Sequence, residues 1–286
     1  MIRIVVNCGP CEEFIGKCLA SILTQTFTDW QAYVTVDACG DRTYEGAILA
    51  GQGDGRIHIV ENRERRFAME NLKHAIEHSA AHPDDVIVIL DGDDWFATPH
   101  ALRIIDETYR RFGCWMTYGS WVADQLDIEP DRSGRWPAYP DNTTDFRNTE
   151  WLGTAVRTWK RWLWDLIDDS DFRDRKGEYF RVTEDQAVML PMLEMSGTDR
   201  ARHIAQTLMV YNRSSPHACG LTRCEEMLAN GRYIHTLPPY ARLHDRPAPE
   251  DAHLHLASRR QRLSFAATLS SLPSDTTLPP DLSSFL

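Results

Sequence analysis

A chain of 286 residues with 42% hydrophobic content has enough apolar side chains for one sizeable domain. Its formal net charge of -11 argues against a nucleic-acid backbone as partner, because such sites concentrate positive charge. No stretch approaches the ~20 apolar residues of a membrane span, and Met1 leads straight into Ile2, Arg3 and Ile4 without a signal-peptide pattern, so the cytoplasm is the expected compartment.

The first part of the chain alternates strand and helix periods. A strand is expected at 2–7. A helix follows at 12–25, with Phe14, Ile15, Cys18, Leu19, Ile22 and Leu23 on one stripe. A strand at 31–37, a short helix at 43–50, a strand at 57–61, a helix at 67–81 and a strand at 86–90 complete the pattern. Such alternation predicts an α/β fold with a mostly parallel, Rossmann-like sheet flanked by helices. The loops leaving its strands would meet along one edge, where ligands of open α/β sheets gather. Three of those loops carry Asn7, Asp37 and the acids that follow residue 90.

In the second half, Ala155, Val156, Trp159, Trp162, Leu163, Leu166 and Ile167 fall on one helical stripe, which predicts Trp159 and Trp162 as core. Trp151 and Trp164 lie outside it, and an aromatic face there can stack on a sugar ring. Residues 127–147, rich in Pro, Asp and Arg, read as a loop that closes over substrate. Tyr211 and Asn212 end an apolar run over 203–210. A helix is expected within 251–269, where Arg259, Arg260 and Arg262 place a basic patch on an acidic chain. Its expected partners are the body of the domain or a second subunit, as in a homodimer. Residues 271–284 have too few apolar side chains to offset the entropy of ordering them. The expected divisions are 1–118, 119–240 and a C-terminal helical extension with its tail over 241–286.

Three clusters carry chemistry. Asp91, Gly92, Asp93, Asp94 and Trp95 follow the apolar run from Val86 to Leu90, so a buried strand ends in three carboxylates. Mg²⁺ or Mn²⁺ would suit them, since these cations take hard oxygen ligands and need only one or two carboxylates when a diphosphate supplies the rest. An acidic turn is the competing reading. Thr183 and Gln186 have capping-box spacing, which places Glu184 and Asp185 in a helix's first turn. His74, Glu77 and His78, with His82 one turn on, have the order of a zinc hydrolase site. Seven cysteines form no regular framework and suit reduced thiols; Cys8 and Cys11 have zinc-ligand spacing, yet Cys219 and Cys224 are spaced wider.

Taken in order, several strings resemble the family 2 glycosyltransferases with the GT-A fold. They are Ile4-Val5-Val6-Asn7, the run from Ser21 to Phe27, Val34-Thr35-Val36-Asp37, Asp41-Arg42-Thr43, and Leu90 to Trp95, which looks like the family's DxD metal motif. Arg157 to Lys160, Thr183 to Ala187, Met192 to Gly197 and Tyr211-Asn212 extend the likeness over about residues 2–215. Departures include Ala38 and Cys39 where Gly and Ser are frequent, and Phe67 where Gly is common. The resemblance implies transfer of a sugar, with inversion, from a nucleoside diphosphate donor carried by UDP to a hydroxyl of a glycan, lipid-linked or protein acceptor. By resemblance Asp185 would be the catalytic base, with Glu184 its alternative; Asn7, Asp37, Asp91, Asn71 and Arg66 would bind the nucleotide. Asp93 and Asp91 would hold Mn²⁺ or Mg²⁺, and Trp95, Trp151, Arg157, Tyr211 and Asn212 would face the acceptor. A zinc hydrolase, or an inactive nucleotide-sugar-binding protein of the same fold, are the alternatives.

Overall fold

Runs rich in Val and Ile suit strands covered on both faces, and four of them build one half of the sheet. They are β1 (Ile2–Cys8), β2 (Trp30–Val36), β3 (Ile57–Glu61) and β4 (Val86–Asp91), all parallel in the order β3-β2-β1-β4. The crossovers between them contain α1 (Ile15–Leu23), α2 (Thr43–Gly51) and α3 (Phe67–His78). The computed structural model describes residues 1–51, 53–124 and 136–270, with side chains up to residue 261. In the register of the sheet Asn7 sits between Thr35 and Asp91, so the three loop starts expected to meet do meet.

The rest of the sheet is mixed. It is formed by β5 (Trp95–Phe96), β6 (Met116–Ala123), β7 (Thr158–Lys160) and β8 (Ala201–Tyr211), which complete the order β3-β2-β1-β4-β7-β6-β8-β5. β7 runs antiparallel to both β4 and β6, while β6 and β8 are parallel. Helices α4 (Ala101–Phe112), α5 (Arg161–Trp164), α6 (Glu184–Arg200), α7 (Cys219–Thr222), α8 (Cys224–Thr236) and α9 (Ala252–Ser270) complete the described elements. No helix among the described residues is long and apolar enough to cross a membrane.

The helix expected over 155–167 does not form. Its middle becomes β7, which joins the β4 and β6 halves of the sheet, and only α5 is helical. A short apolar run fits both periods, and here the unpaired edge of β4 decides. The burial expected for Trp159 and Trp162 holds even so, at 1% and 7% exposed, and Trp164, expected off the stripe, is buried too and stacks on Phe172. Residues 136–147 are also not a free loop, because Tyr139 and Phe146 are core and buried Arg147 donates to both carboxylate oxygens of Glu194. Residues 127–135, the other part of the expected loop, lie outside the described residues, as do 271–286.

Two arginines of the basic patch on α9 are used in docking, and the side chain of Arg262 lies outside the described residues. Arg259 is fully buried, donating to both oxygens of Asp171 at 2.8 and 3.1 Å and to the Pro238 carbonyl. Arg260 reaches Asp168 at 2.5 Å from an exposed position. The helix is therefore fixed to the body of the same chain. Arg259→Ala should destabilise the fold by about 3 kcal/mol, because it strands a buried carboxylate. Arg260→Ala should cost much less, because its guanidinium is exposed to solvent and Asp168 keeps its bonds from Ser170. Urea unfolding of the two variants checks the difference, and equal losses would mean that α9 is not anchored through Arg259.

Candidate active site

A cleft of about 1190 Å³ opens where β1, β2 and β4 end. Nine of the residues singled out in the sequence line it: Asn7, Asp37, Asn71, Asp91, Asp93, Arg157, Glu184, Asp185 and Tyr211. Asn7 is 8% exposed, and neither atom of its side-chain amide has a hydrogen-bond partner. An amide buried without partners at a cleft wall is set up for a ligand that donates and accepts.

The three acids after β4 separate into different roles. Gly92 presses the turn onto β1: its N–H donates to Asn7 O, and an added Cβ would stand 2.6 Å from Cys8 Sγ. Only glycine fits between the two aspartates. Asp94 turns inward, is 1% exposed, and accepts the Asn212 N–H at 2.8 Å, which ties β4 to the end of β8. Asp91 and Asp93 are left facing the cleft.

Asp37 is the structural surprise at the end of β2. Its Oδ1 accepts from the N–H groups of Arg66 at 2.8 Å and Ala38 at 3.1 Å and from Asn62 Nδ2, while Oδ2 accepts from Phe67 N at 2.9 Å. The carboxylate thus satisfies the open N–H groups at the start of α3 from another element. The carbonyls of Phe180 and Arg181 take the next two, from Met69 and Ala68. Phe67 begins the helix at φ 61°, a left-handed conformation that costs a side-chain-bearing residue about 1–2 kcal/mol. The Asp37 anchor holds it there.

Across the cleft, α6 begins with Glu184 and Asp185. The expected capping box is absent. Thr183 stands at φ 73° and its hydroxyl donates to Met227 O, so it makes no cap bond to α6, and Gln186 Oε1 has no partner. Asp185 is instead held by others: Arg157 Nη2 donates to Oδ2 at 2.8 Å and Gln186 N donates to Oδ1 at 2.8 Å. Arg157 is itself fixed by Gly153 O.

Four candidates sit elsewhere. Arg66 contributes its backbone N–H to Asp37 while its side chain pairs with Glu70; Trp95 lies under Lys17, whose Nζ is 3.3 Å from the ring centroid. Trp151 packs on the core and Asn212 is buried against Asp94. The zinc alternative loses its geometry: His74 meets Glu70, Glu77 meets Lys73, and His78 packs its edge on Tyr33. Among the described residues no three of His, Cys, Asp or Glu are placed to hold an ion by themselves, which also removes a structural site at Cys8 and Cys11. Arg65, Arg181, His217 and Arg223 line the cleft too. They lie in irregular segments or at a helix start, where no period marks them.

The sequence pattern of glycosyl transferase family 2 matches residues 3–170, more than half of the chain. The chain belongs to glycosyl transferase family 2. EpsE of Bacillus subtilis (strain 168), named as a glycosyltransferase, is 27% identical over 94 residues, which is about a third of each chain's length. In fold, S. aureus TarS 1-349 is similar at a TM-score of 0.59 and 14% identity, over 94% of this chain and 73% of that one. The mannosyltransferase PcManGT from Pyrobaculum calidifontis, solved with GDP-Man and Mn²⁺, is similar at a TM-score of 0.56 and 19% identity, over 95% and 76%. The eight-stranded sheet with its flanking helices is the GT-A fold these proteins share.

In this family 2 cleft, crowded acids hold one another's protons. Burial, then Asp93, pushes the Asp91 carboxyl up to about 6, with Arg157 acting the other way. Burial raises Asp93 as well. Burial, then Asp185 and Asp91, pushes Glu184 up to about 8. A carboxyl harder to ionise in the fold than in the unfolded chain favours folding while protonated. That contribution is present below its ordinary value of 4.5 and is lost as pH rises through about 8. Metal-free protein should therefore lose stability over this window, and Glu184→Gln should flatten the loss. Thermal melts in EDTA across pH 5 to 9 check it; an unchanged slope in the variant removes Glu184 as the cause.

Proposed function

We propose that this chain transfers a sugar, with inversion, from a nucleoside diphosphate donor, UDP being the preferred carrier, to an acceptor hydroxyl. The observation that carries the reading is the pairing across one cleft of Asp91 and Asp93 with an arginine-held Asp185. Family membership supports the same chemistry. Residues 1–118 would supply the donor half, with Asn7, Asn71 and Asp91 toward the nucleotide. Residues 119–240 would supply the base and the acceptor wall, with Arg157 and Tyr211, and the C-terminal extension would brace them through Arg259 and Arg260. The acceptor is a hydroxyl of a glycan, lipid-linked or protein molecule.

Asp185 is the base in this scheme. Arg157 and Gln186 N each take one of its oxygens, which fixes the carboxylate while leaving lone pairs for an acceptor O–H. Glu184 is a poor alternative, since a carboxyl at about 8 keeps its proton at neutral pH. Asp93, with Asp91, fits Mn²⁺ or Mg²⁺: the donor set is hard oxygen, it is short of a full ligand set, and a diphosphate would complete it. When bound, the cation would stabilise the charge on the leaving diphosphate. Asp94, buried and bonded to Asn212 N, stays outside that set.

Asp93→Asn should leave the fold intact and cut turnover by about two orders of magnitude or more. Release of nucleoside diphosphate from a panel of nucleotide sugars, with and without EDTA, is the measurement; full activity in excess EDTA rejects the metal. Asp185→Asn should depress turnover strongly at near-normal donor affinity, as for a group that acts in the transition state. If Glu184→Gln loses its rate and Asp185→Asn keeps it, the base is Glu184.

A further inference from the structure

The cleft has a second pole that its acids do not account for. Phe67 stands on its wall at the start of α3, and three guanidinium groups surround the ring: Arg223 at 4.7 Å, Arg181 at 4.9 Å and Arg65 at 5.1 Å from the centroid. No two of these guanidinium carbons are more than about 10 Å apart. They arrive from three separate parts of the chain: the loop before α3, the segment three residues ahead of Glu184, and the start of α8. All four residues line the cleft.

Each arginine meets one carboxylate. Arg65 lies 3.8 Å from Asp37, Arg181 3.4 Å from Glu178, and Arg223 2.8 Å from Glu226. Asp37 is already committed to the N–H groups of α3, and Arg181 and Glu178 are both largely exposed, where such a pair is weak. A guanidinium has five N–H donors, so one carboxylate leaves donors open on each. The Phe67 ring holds the cations near one another through its negative face without neutralising them. Spare N–H donors on three guanidinium groups gathered from distant parts of the chain make a place where an anion's oxygens can be bonded.

We propose that Arg65, Arg181 and Arg223, gathered around Phe67, form an oxyanion subsite that receives a phosphoryl group of a substrate, separate from the Asp91 and Asp93 pair. Planar guanidinium forks match phosphate oxygens in pairs, and three of them around one point give the match direction as well as charge. The proposal rests on the transfer reading only for the source of that group, which is either the donor's diphosphate or a phosphate carried by the acceptor.

The test titrates inorganic phosphate and, separately, UDP into the full chain in EDTA by calorimetry. Wild type is compared with the double variants Arg181→Gln/Arg223→Gln and Arg181→Lys/Arg223→Lys, each first checked by thermal melting. Phosphate affinity should fall about tenfold or more in the glutamine pair and recover partly in the lysine pair, in line with the loss of charge-assisted hydrogen bonds. A parallel fall for UDP assigns the subsite to the donor, and unchanged UDP binding assigns it to the acceptor. Equal phosphate affinity in wild type and a normally melting glutamine pair, or no phosphate binding to wild type at tens of millimolar, overturns the subsite. Should the glutamine pair melt early, Arg181→Gln alone carries the comparison. A wild type that binds phosphate through these arginines but neither binds nor turns over any nucleotide sugar rejects the transfer reading and leaves the subsite standing.

Discussion

Repulsion among five carboxylates is the constraint around which this cleft is built. Asp91, Asp93, Asp94, Glu184 and Asp185 are gathered where strands and a helix end, and Arg157 is the guanidinium that pairs with one of them. Two unit charges about 4 Å apart repel by about 4 kcal/mol at an effective dielectric of about 20, so five ionised acids cannot share such a site unaided. Three devices relieve the strain. Asp94 withdraws into the protein, where burial raises its carboxyl well above the ordinary range and Asn212 N–H supplies a bond. Glu184 keeps its proton to about 8, and Arg157 takes the charge of Asp185. At Asp91 and Asp93 the charges of Arg157 and His217 only partly offset burial, and that residual strain is the electrostatic reason to propose a divalent ion there.

The other half of the site depends on how α3 starts. A helix leaves its first N–H groups open, and here none of the usual capping side chains is present, since Arg66 occupies the cap position. Asp37 provides the acceptors from the end of β2, and the carbonyls of residues 180 and 181 provide the next two from the strand of chain that leads into Glu184 and Asp185. One helix terminus therefore couples the end of β2 to the turn that carries Glu184 and Asp185. These backbone bonds add to the buried packing of α6 and to the Arg157 bond in positioning the proposed base.

The parallel half of the sheet was legible because its central strands, β1, β2 and β4, are almost wholly buried and rich in Val and Ile, with acids where the apolar runs stop at residues 37 and 91. The gathering of Asn7, Asp37 and Asp91 at one edge follows from that topology alone. What was not legible depends on partners far away in sequence. Trp159 satisfies a helical period as well as it satisfies a strand, and only the open edge of β4, more than seventy residues upstream, selects the strand. Docking of the helix that carries Arg259 was expected on the body or a second subunit, but nothing near it in sequence marks its partner Asp171, 88 positions back in the chain. Thr183 has capping-box spacing but a positive φ, which spacing cannot reveal.

The arginines around Phe67 show the same limit from the functional side. Arg65, Arg181 and Arg223 belong to segments with no period to align them, so each alone is an ordinary surface residue in a chain that contains many arginines. The fold brings them together through the α3 start: Asp37 fixes residues 66 and 67, the Phe180 and Arg181 carbonyls lock the neighbouring segment onto the same turn, and Arg223 closes from α8. A glycine at position 67 would take its positive φ at no cost but would offer no ring for the guanidinium groups to share. Phenylalanine accepts the strain, and the stretch of chain that anchors it is the one that leads into Asp185. The basic pole and the turn that carries Glu184 and Asp185 are consequently tied through the same backbone bonds at the start of α3.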